Sequence, residues 1–544
     1  MVCHVLYLDL RVNKLKNINI CFEYLLQGEG IIYYDELVER NKFKNIHKSI
    51  QSLANEWYFE NGVDITLYKG FSVGEILSYE LTYSKVNTII FLMMLFSETP
   101  KILKIYKTKE FKINNVIIDI LNSVNVEYEI IIINKKCVQE LVPLSESVQE
   151  LFTKRYIRQI IVFLNNFIKN FKKTERCYFQ GYSTTLDLIK YFDNKIVTDQ
   201  IPKNIKNIFS INRPFYFIPK ILKKEKKEIP FIFKNTENIY SIIKDIFYNH
   251  YLNNQEEIHF MIDSIIENFK RYYITKAIIM TPNARIPSII KQYMKQTGGT
   301  VALYNHGVIN YTNQKEYLQD IDNILSWNNY ETEIYKSFGK NVINTGFPRF
   351  NKLNNHDKKY YNEERDFYKL KVSILAIATS ENYDMSRRDI VKIHKNLIKM
   401  LIKIGFQTKN IRFIIHPGRA NKEFYLEVYK NYILAKNIIK NMNIIDVIKS
   451  SDILIGGAST VIYEATYLNT PYYTYEPNSC KFSGEDKIIF TKKYINTATT
   501  LNGLEQNIIN SKSQDIKIFK EKALYLNNYQ KSKDIIYKKF LTCY

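Results

Sequence analysis

The stretch from Ile444 to Pro471 reads IIDVIKSSDILIGGASTVIYEATYLNTP, and it sets a small turn rich in hydrogen-bond donors between a strand and a helix. Ser450-Ser451-Asp452 closes one helix, Ile453-Leu454-Ile455 has the apolar run of a buried strand, and Val461 to Leu468 has helical spacing. Between them, Gly456-Gly457-Ala458-Ser459-Thr460 carries no bulky side chain. Strand, tight turn and helix in that order make a βα unit, which commits this part of the chain to an α/β sheet. The turn also suits an anion. Gly456 and Gly457 let the backbone approach a ligand, Ser459 and Thr460 offer capping hydroxyls, and the helix's first N–H groups favour a phosphate. Glu464, one turn into the helix, is placed to reach a ribose. An ordinary capped turn would use the same residues, so this segment alone leaves both readings open.

A second segment favours the ligand. Ile411-Arg412-Phe413-Ile414-Ile415 reads as another buried strand, and it runs into His416-Pro417-Gly418-Arg419. Pro417 stops the ladder and Gly418 permits a sharp turn, so His416 and Arg419 are expected at the strand's C-terminal end. Ligands of open α/β sheets bind at that edge. Two strand ends about forty residues apart, as expected for neighbouring βα units, would both offer donors of the phosphate-binding type.

HPGR at 416–419 together with SDILIGGASTVIYEA at 451–465 resembles the nucleotide-binding half of GT-B glycosyltransferases that build bacterial surface polysaccharides. The nearest likenesses are the capsule and lipopolysaccharide enzymes that use CMP-activated acidic sugars, such as Kdo, sialyl and polysialyltransferases, and the CDP-glycerol glycerophosphotransferases. The resemblance implies that His416, Arg419, Gly457, Ser459 and Thr460 hold the phosphate of a cytidine nucleotide and that Glu464 holds its ribose. It covers roughly residues 300–475 and bears on the fold more strongly than on the substrate.

Upstream, Gly298-Gly299-Thr300-Val301-Ala302-Leu303-Tyr304-Asn305-His306-Gly307 reads as a strand closing on an exposed His-Gly pair. Strands are expected at Ile321–Trp327 and Val342–Arg349 as well. The resemblance makes His306 the candidate general base on the acceptor side. A neutral imidazole suits that task because its pKa lies near working pH. A buried histidine closing a loop is the structural alternative. Glu29, in Gln27-Gly28-Glu29-Gly30, resembles the acidic-Gly motif that supplies the base in sialyltransferase-like enzymes, which makes it the second candidate base; an ordinary turn glutamate is the alternative, and the one the short match favours.

The expected architecture is α/β and GT-B-like: two Rossmann-like, doubly wound parallel-sheet domains facing a central cleft, with a helical insertion in the first. Residues 1–350 would form the N-terminal acceptor-side domain, with strands at Val5–Leu10, Thr88–Met93, Val116–Ile120, Tyr128–Ile133 and Ala277–Met280 and a basic helical insertion over 136–265. A polar linker at 351–369 leads to the donor-binding domain at 370–525, with a strand at Val372–Ala378 and a helix at Ile390–Ile404, and 526–544 would be a terminal helix crossing back. A chain of 544 residues, 46% hydrophobic, can fill two or three cores.

The six cysteines are far apart and form no CxxC pair, which indicates neither a zinc site nor a disulfide framework and suits a reducing cytoplasm. No signal-peptide pattern opens the chain, and the longest apolar run, Ile89 to Phe96, is far short of a membrane span. No GxGxxG follows the first strand and no P-loop is present, which disfavours a nicotinamide, flavin or P-loop enzyme. Asp320-Ile321-Asp322 has DxD spacing, but both carboxylates flank an expected strand, so no metal and no cofactor is expected.

The net charge of +22 asks for an acidic partner. The helix-patterned segment 151–176 sets Tyr156, Phe163, Phe167 and Phe171 on one stripe among lysines and arginines, and Pro202 to Lys227 adds KILKKEKKE. Such helices can lie on an anionic membrane surface, or can pack an apolar face inward behind a solvated basic one. No nucleic-acid-reading motif accompanies the charge. The expected function is metal-independent transfer of a sugar, an acidic one from a CMP donor, to a glycan or lipid-linked acceptor at the inner face of the cytoplasmic membrane. A CDP-glycerol-type glycerophosphotransferase, a nucleotide-sugar 2-epimerase and a non-catalytic glycan- or nucleic-acid-binding protein are the alternatives.

Overall fold

The computed structural model describes residues 17–27, 30–36, 50, 52–84, 102–113, 117–118, 121–122, 126–138, 176–181, 188, 192, 196–198, 209–210, 239–304, 318–346, 366–376, 387–415, 421–457, 459–475, 497–510 and 532–541. Contacts divide the chain into two compact units, one of Met1–Gln139, Lys227–Glu256 and Glu381–Ile390, the other of Glu140–Lys226, Glu257–Ser380 and Val391–Tyr544.

The first unit holds a four-stranded parallel sheet of β1 (Asn17–Cys21), β2 (Ile32–Tyr33), β7 (Ile102–Thr108) and β8 (Glu127–Ile133), in the order β2-β1-β7-β8. Two small hairpins lie between β2 and β7 in sequence: β3 (Phe59–Glu60) with β4 (Val63–Asp64), and β5 (Leu67–Tyr68) with β6 (Phe71–Ser72). Gly70, at φ +83°, closes the second of them, and the helix Val73–Ser84 follows. The expected strand Tyr128–Ile133 matches β8, whereas Ile117 and Ile118, expected in a strand, are helical. The expected strands at Val5–Leu10 and Thr88–Met93 lie outside the described residues.

The second unit contains two larger sheets, both fully parallel. The seven-stranded one is built from β9 (Arg176–Phe179), β10 (Ile196–Thr198), β11 (Phe209–Ser210), β12 (Ile274–Ile279), β13 (Thr300–Leu303), β14 (Asn323–Ser326) and β15 (Asn341–Asn344). Their spatial order is β11-β10-β9-β12-β13-β14-β15. The six-stranded sheet is built from β16 (Val372–Leu375), β17 (Ile411–Ile414), β18 (Ile438–Ile439), β19 (Ile453–Gly456), β20 (Tyr472–Tyr475) and β21 (Thr497–Ala498). Its order is β18-β17-β16-β19-β20-β21. All four residues of β9, of β19 and of β20 are buried, as expected of parallel strands covered on both faces.

The chain is thus α/β with parallel sheets, as expected, and among the described residues there are three such sheets rather than two. Residues 17–133 do not begin the large sheet; they close one of their own. The stretch expected to be a helical insertion, 136–265, supplies β9, β10 and β11, with β9 an interior strand of the seven-stranded sheet next to its central strand β12, as well as most of the 33-residue helix Ile239–Arg271. Alternation hides those strands because RCYF and IVT are short and wholly buried, so they show no period of two. Gly298, read as the start of a strand, instead ends the helix Arg285–Thr297 at φ +70°, where its N–H bonds to the Met294 carbonyl. The basic segment 151–175 lies outside the described residues, and among the described residues no helix is long and apolar enough to cross a membrane.

Within the second unit, the terminal segment Ser532–Leu541 lies on the seven-stranded sheet. Tyr537 stacks on Phe192 with ring centroids 6.5 Å apart, and the Phe540 carbonyl accepts from Lys276 Nζ at 3.2 Å.

Candidate functional site

In the six-stranded sheet the first strand in sequence, β16, lies between the second, β17, and the fourth, β19. The winding direction therefore reverses between β16 and β19. At such a reversal the flanking connections leave in opposite directions and open a crevice at the C-terminal ends of the two strands. The connection that leaves β19 there is Gly457 to Thr460, the turn singled out in the sequence. The connection from β17 leaves on the other side of β16 and begins with Ile415, directly before His416. The two motif strands are thus separated by β16, and in sequence by the short β18; they are not the adjacent pair that their spacing suggested.

The two glycines of the turn have different causes. A Cβ on Gly456 would meet the Tyr472 hydroxyl at 2.5 Å and Leu375 Cβ at 3.1 Å, so packing within the sheet requires this glycine. A Cβ on Gly457 would meet nothing within 4 Å among the described residues, so packing does not require glycine here. Tyr472 fixes the turn from below, its hydroxyl donating to the Gly457 carbonyl at 2.6 Å.

Ser459 and Thr460 divide the capping task unequally. Ser459 Oγ accepts from the Val461 N–H at 3.3 Å, whereas Thr460, the N-cap residue, makes no side-chain cap bond. The N–H groups of Ile462 and Tyr463 turn back to the carbonyls of Ser459 and Thr460 at 3.1 and 3.0 Å. Both residues are half-buried. Glu464 is fully buried in the helix Val461–Tyr467, which follows the turn. His306, Glu29, His416 and Arg419 lie outside the described residues.

The helix after the turn is tied to the other large sheet of the same unit. Tyr463 donates its hydroxyl to Glu331 Oε1 at 3.0 Å, and its ring meets Trp327 edge-on with centroids 6.0 Å apart. Trp327 in turn meets Tyr304 at 6.4 Å. Tyr304 is buried, its hydroxyl donates to the Gly346 carbonyl at 3.3 Å, and it is the last described residue before Asn305-His306-Gly307. Glu331 sits in the first turn of the helix Asn329–Ser337. Its N–H is capped by Asn328 Oδ1 at 2.8 Å, and its Oε2 accepts from the Trp327 N–H at 3.0 Å. Burial pushes the Glu331 carboxyl up to about 7, against the pull of its bonds to Trp327 and Tyr463. Sequence reading missed this residue, although Asn328-x-x-Glu331 is a capping-box spacing.

The seven-stranded sheet reverses its winding between β9 and β12. Gln180 closes that point: its Oε1 accepts from the N–H groups of Met280 and Thr281 at 2.6 and 3.2 Å, and its Nε2 donates to Thr281 Oγ1 at 2.9 Å. The DxD pair serves the same sheet. Asp322 Oδ2 accepts from the Val301 N–H at 2.7 Å and Asp320 Oδ1 from Lys295 Nζ at 2.9 Å.

No protein-family model matches the chain, and no curated protein does. Solved structures do. The chain is similar to the wall teichoic acid polymerase TagF, at 15% identity over 72% of this chain and 96% of that one, with a TM-score of 0.36. It is similar to the UDP-GlcNAc 2-epimerase from Neisseria meningitidis bound to UDP-GlcNAc, at 11% identity over 68% of this chain and 100% of that one, with a TM-score of 0.39. The lipopolysaccharide outer core galactosyltransferase WaaB aligns at 12% identity over 68% and 100%, with a TM-score of 0.36. At these values any functional conclusion rests on the chain's own residues.

Proposed function

We propose that the protein is a glycosyltransferase of surface-carbohydrate synthesis that takes a sugar, an acidic one, from a cytidine nucleotide. The observation that carries this reading is the position of the Gly457 turn at the winding reversal of the six-stranded sheet, with the chain leading to His416 on the far side of β16. In this reading Gly457, Ser459 and Thr460 meet the donor phosphate, and His416 and Arg419 add charge from the opposite strand end. Together they would stabilise the negative charge that grows as the nucleotide leaves, the electrostatic work this reaction needs most. His306 would accept the proton of the attacking hydroxyl, whereas Glu464, expected to hold the ribose, is fully buried and is not assigned that contact.

Calorimetry with CMP, CDP and UDP tests the donor. A cytidine preference that His416→Ala weakens is expected, and equal or absent binding of all three nucleotides would sink the assignment. Incubation with CMP-, CDP- and UDP-activated donors, with nucleotide release followed, then separates sugar transfer from transfer of a glycerophosphate.

A further inference from the structure

The four-stranded sheet of the first unit has its own winding reversal, between β1 and β7, and what gathers at the C-terminal edge there differs from the donor turn. The exit of β1 passes through Phe22 and Glu23 into the short helical turn Tyr24–Leu26. Glu23 is buried and clasps the end of β7, accepting from the Thr108 N–H at 2.7 Å and from the Thr108 hydroxyl at 2.8 Å. Lys107 holds the following loop by donating to the Phe111 carbonyl at 2.6 Å.

On this rigid base three half-buried rings come together. Phe22 lies parallel to Phe111, with an interplanar angle of 3° and centroids 6.4 Å apart, and Tyr34 lies 5.2 Å from Phe22. Polar groups gather around the neighbouring Tyr24, whose ring meets Tyr33 edge-on at 5.5 Å, and Tyr33 in turn meets Tyr34 at 4.9 Å. Glu36 Oε2 faces Arg388 Nη1 at 3.4 Å, and Glu36 Oε1 is buried with no hydrogen-bond partner among the described residues. Gln27 hydrogen-bonds Tyr24, whose phenol is pushed up to about 12, mainly by burial, with Glu36, Arg387 and Arg388 close enough to act on it.

We propose that this edge is a saccharide-binding site, separate from the donor site. Ring faces pack against the C–H faces of a pyranose, while Glu36, Gln27 and Arg388 together offer both acceptors and donors to its hydroxyls. A phosphate is disfavoured, because the carboxylates of Glu23 and Glu36 stand at the edge. A buried carboxylate oxygen without a partner costs stability in the free protein and gains a bond when a hydroxyl arrives.

The test uses the full-length chain on a microarray of immobilised oligosaccharides, with CMP calorimetry alongside. Binding to a defined set of glycans is expected. Glu36→Gln and Arg388→Ala, the latter at a largely exposed side chain, should each lower that signal about tenfold, equivalent to ~1.4 kcal/mol, with melting temperature and CMP affinity unchanged. Phe111→Ala should lower it further. Absence of glycan binding, or full binding retained in both Glu36→Gln and Arg388→Ala, overturns the proposal. Loss of the CMP preference with glycan binding intact overturns only the donor assignment.

Discussion

Glu331 and Tyr463 are 132 residues apart in sequence and share a buried hydrogen bond of 3.0 Å. The bond joins the helix after β14 in one sheet to the helix after β19 in another. It also ends a line of packed rings, Tyr304, Trp327 and Tyr463, that runs from the approach to His306 to the helix behind Ser459 and Thr460.

The first prediction concerns pH. The Glu331 carboxyl is raised from an ordinary 4.5 to about 7, so the folded protein holds a proton there that the unfolded chain has released. Stability from this group is complete below about pH 4.5 and is lost as pH rises towards 7, by roughly 3 kcal/mol from the size of the shift. Glu331→Gln should remove this slope, leaving stability near pH 5 little changed and raising it at pH 8. Urea denaturation at the two pH values reads the difference, and a slope unchanged in the variant would place its origin elsewhere.

Tyr463→Phe keeps the ring against Trp327 and removes only the hydroxyl. A loss of about 1–3 kcal/mol is expected, because a buried acceptor on Glu331 is left unmet. In a double-mutant cycle with Glu331→Gln the two effects should fall short of additive. Strict additivity would mean that the bond contributes nothing.

The two glycines of the turn should separate cleanly. Gly456→Ala places a methyl 2.5 Å from the Tyr472 hydroxyl and should cost about 1–3 kcal/mol, part of it recovered by Tyr472→Phe. Gly457→Ala meets nothing within 4 Å among the described residues, so the melting temperature should hold while CMP affinity falls. Wild-type affinity in Gly457→Ala would count against a phosphate at this turn.

His306→Ala tests the proposed proton acceptor. Nucleotide affinity should stay near its original value while single-turnover transfer at saturating donor falls by about 10²–10⁴-fold. Ser459→Ala should weaken both. Full turnover in His306→Ala would move the base, with Glu29 the next residue to substitute.

The sequence by itself determined the local units. Val372, Ile411, Ile453 and Tyr472 each open a strand where apolar runs meet turn residues, and the helix Arg387–Lys403 follows its apolar face. The distinctive turn 456–460 was legible because two adjacent glycines and two hydroxyls between a strand and a helix are a local signal. Local signals do not say which strands pair. Only the tertiary structure placed β16 between β17 and β19, drew β9 from an apparently helical stretch into the interior of a sheet, and gave residues 17–133 a sheet of their own. Parallel pairing is decided by crossovers and by which faces helices cover, and neither leaves a mark within a single strand. The division of labour between Gly456 and Gly457 was hidden for the same reason: the hydroxyl that excludes a side chain at one of them belongs to Tyr472, on the neighbouring strand. Glu331 was hidden too, since its partner Tyr463 follows a different sheet, and a buried carboxyl is recognised only once the elements that bury it are in place.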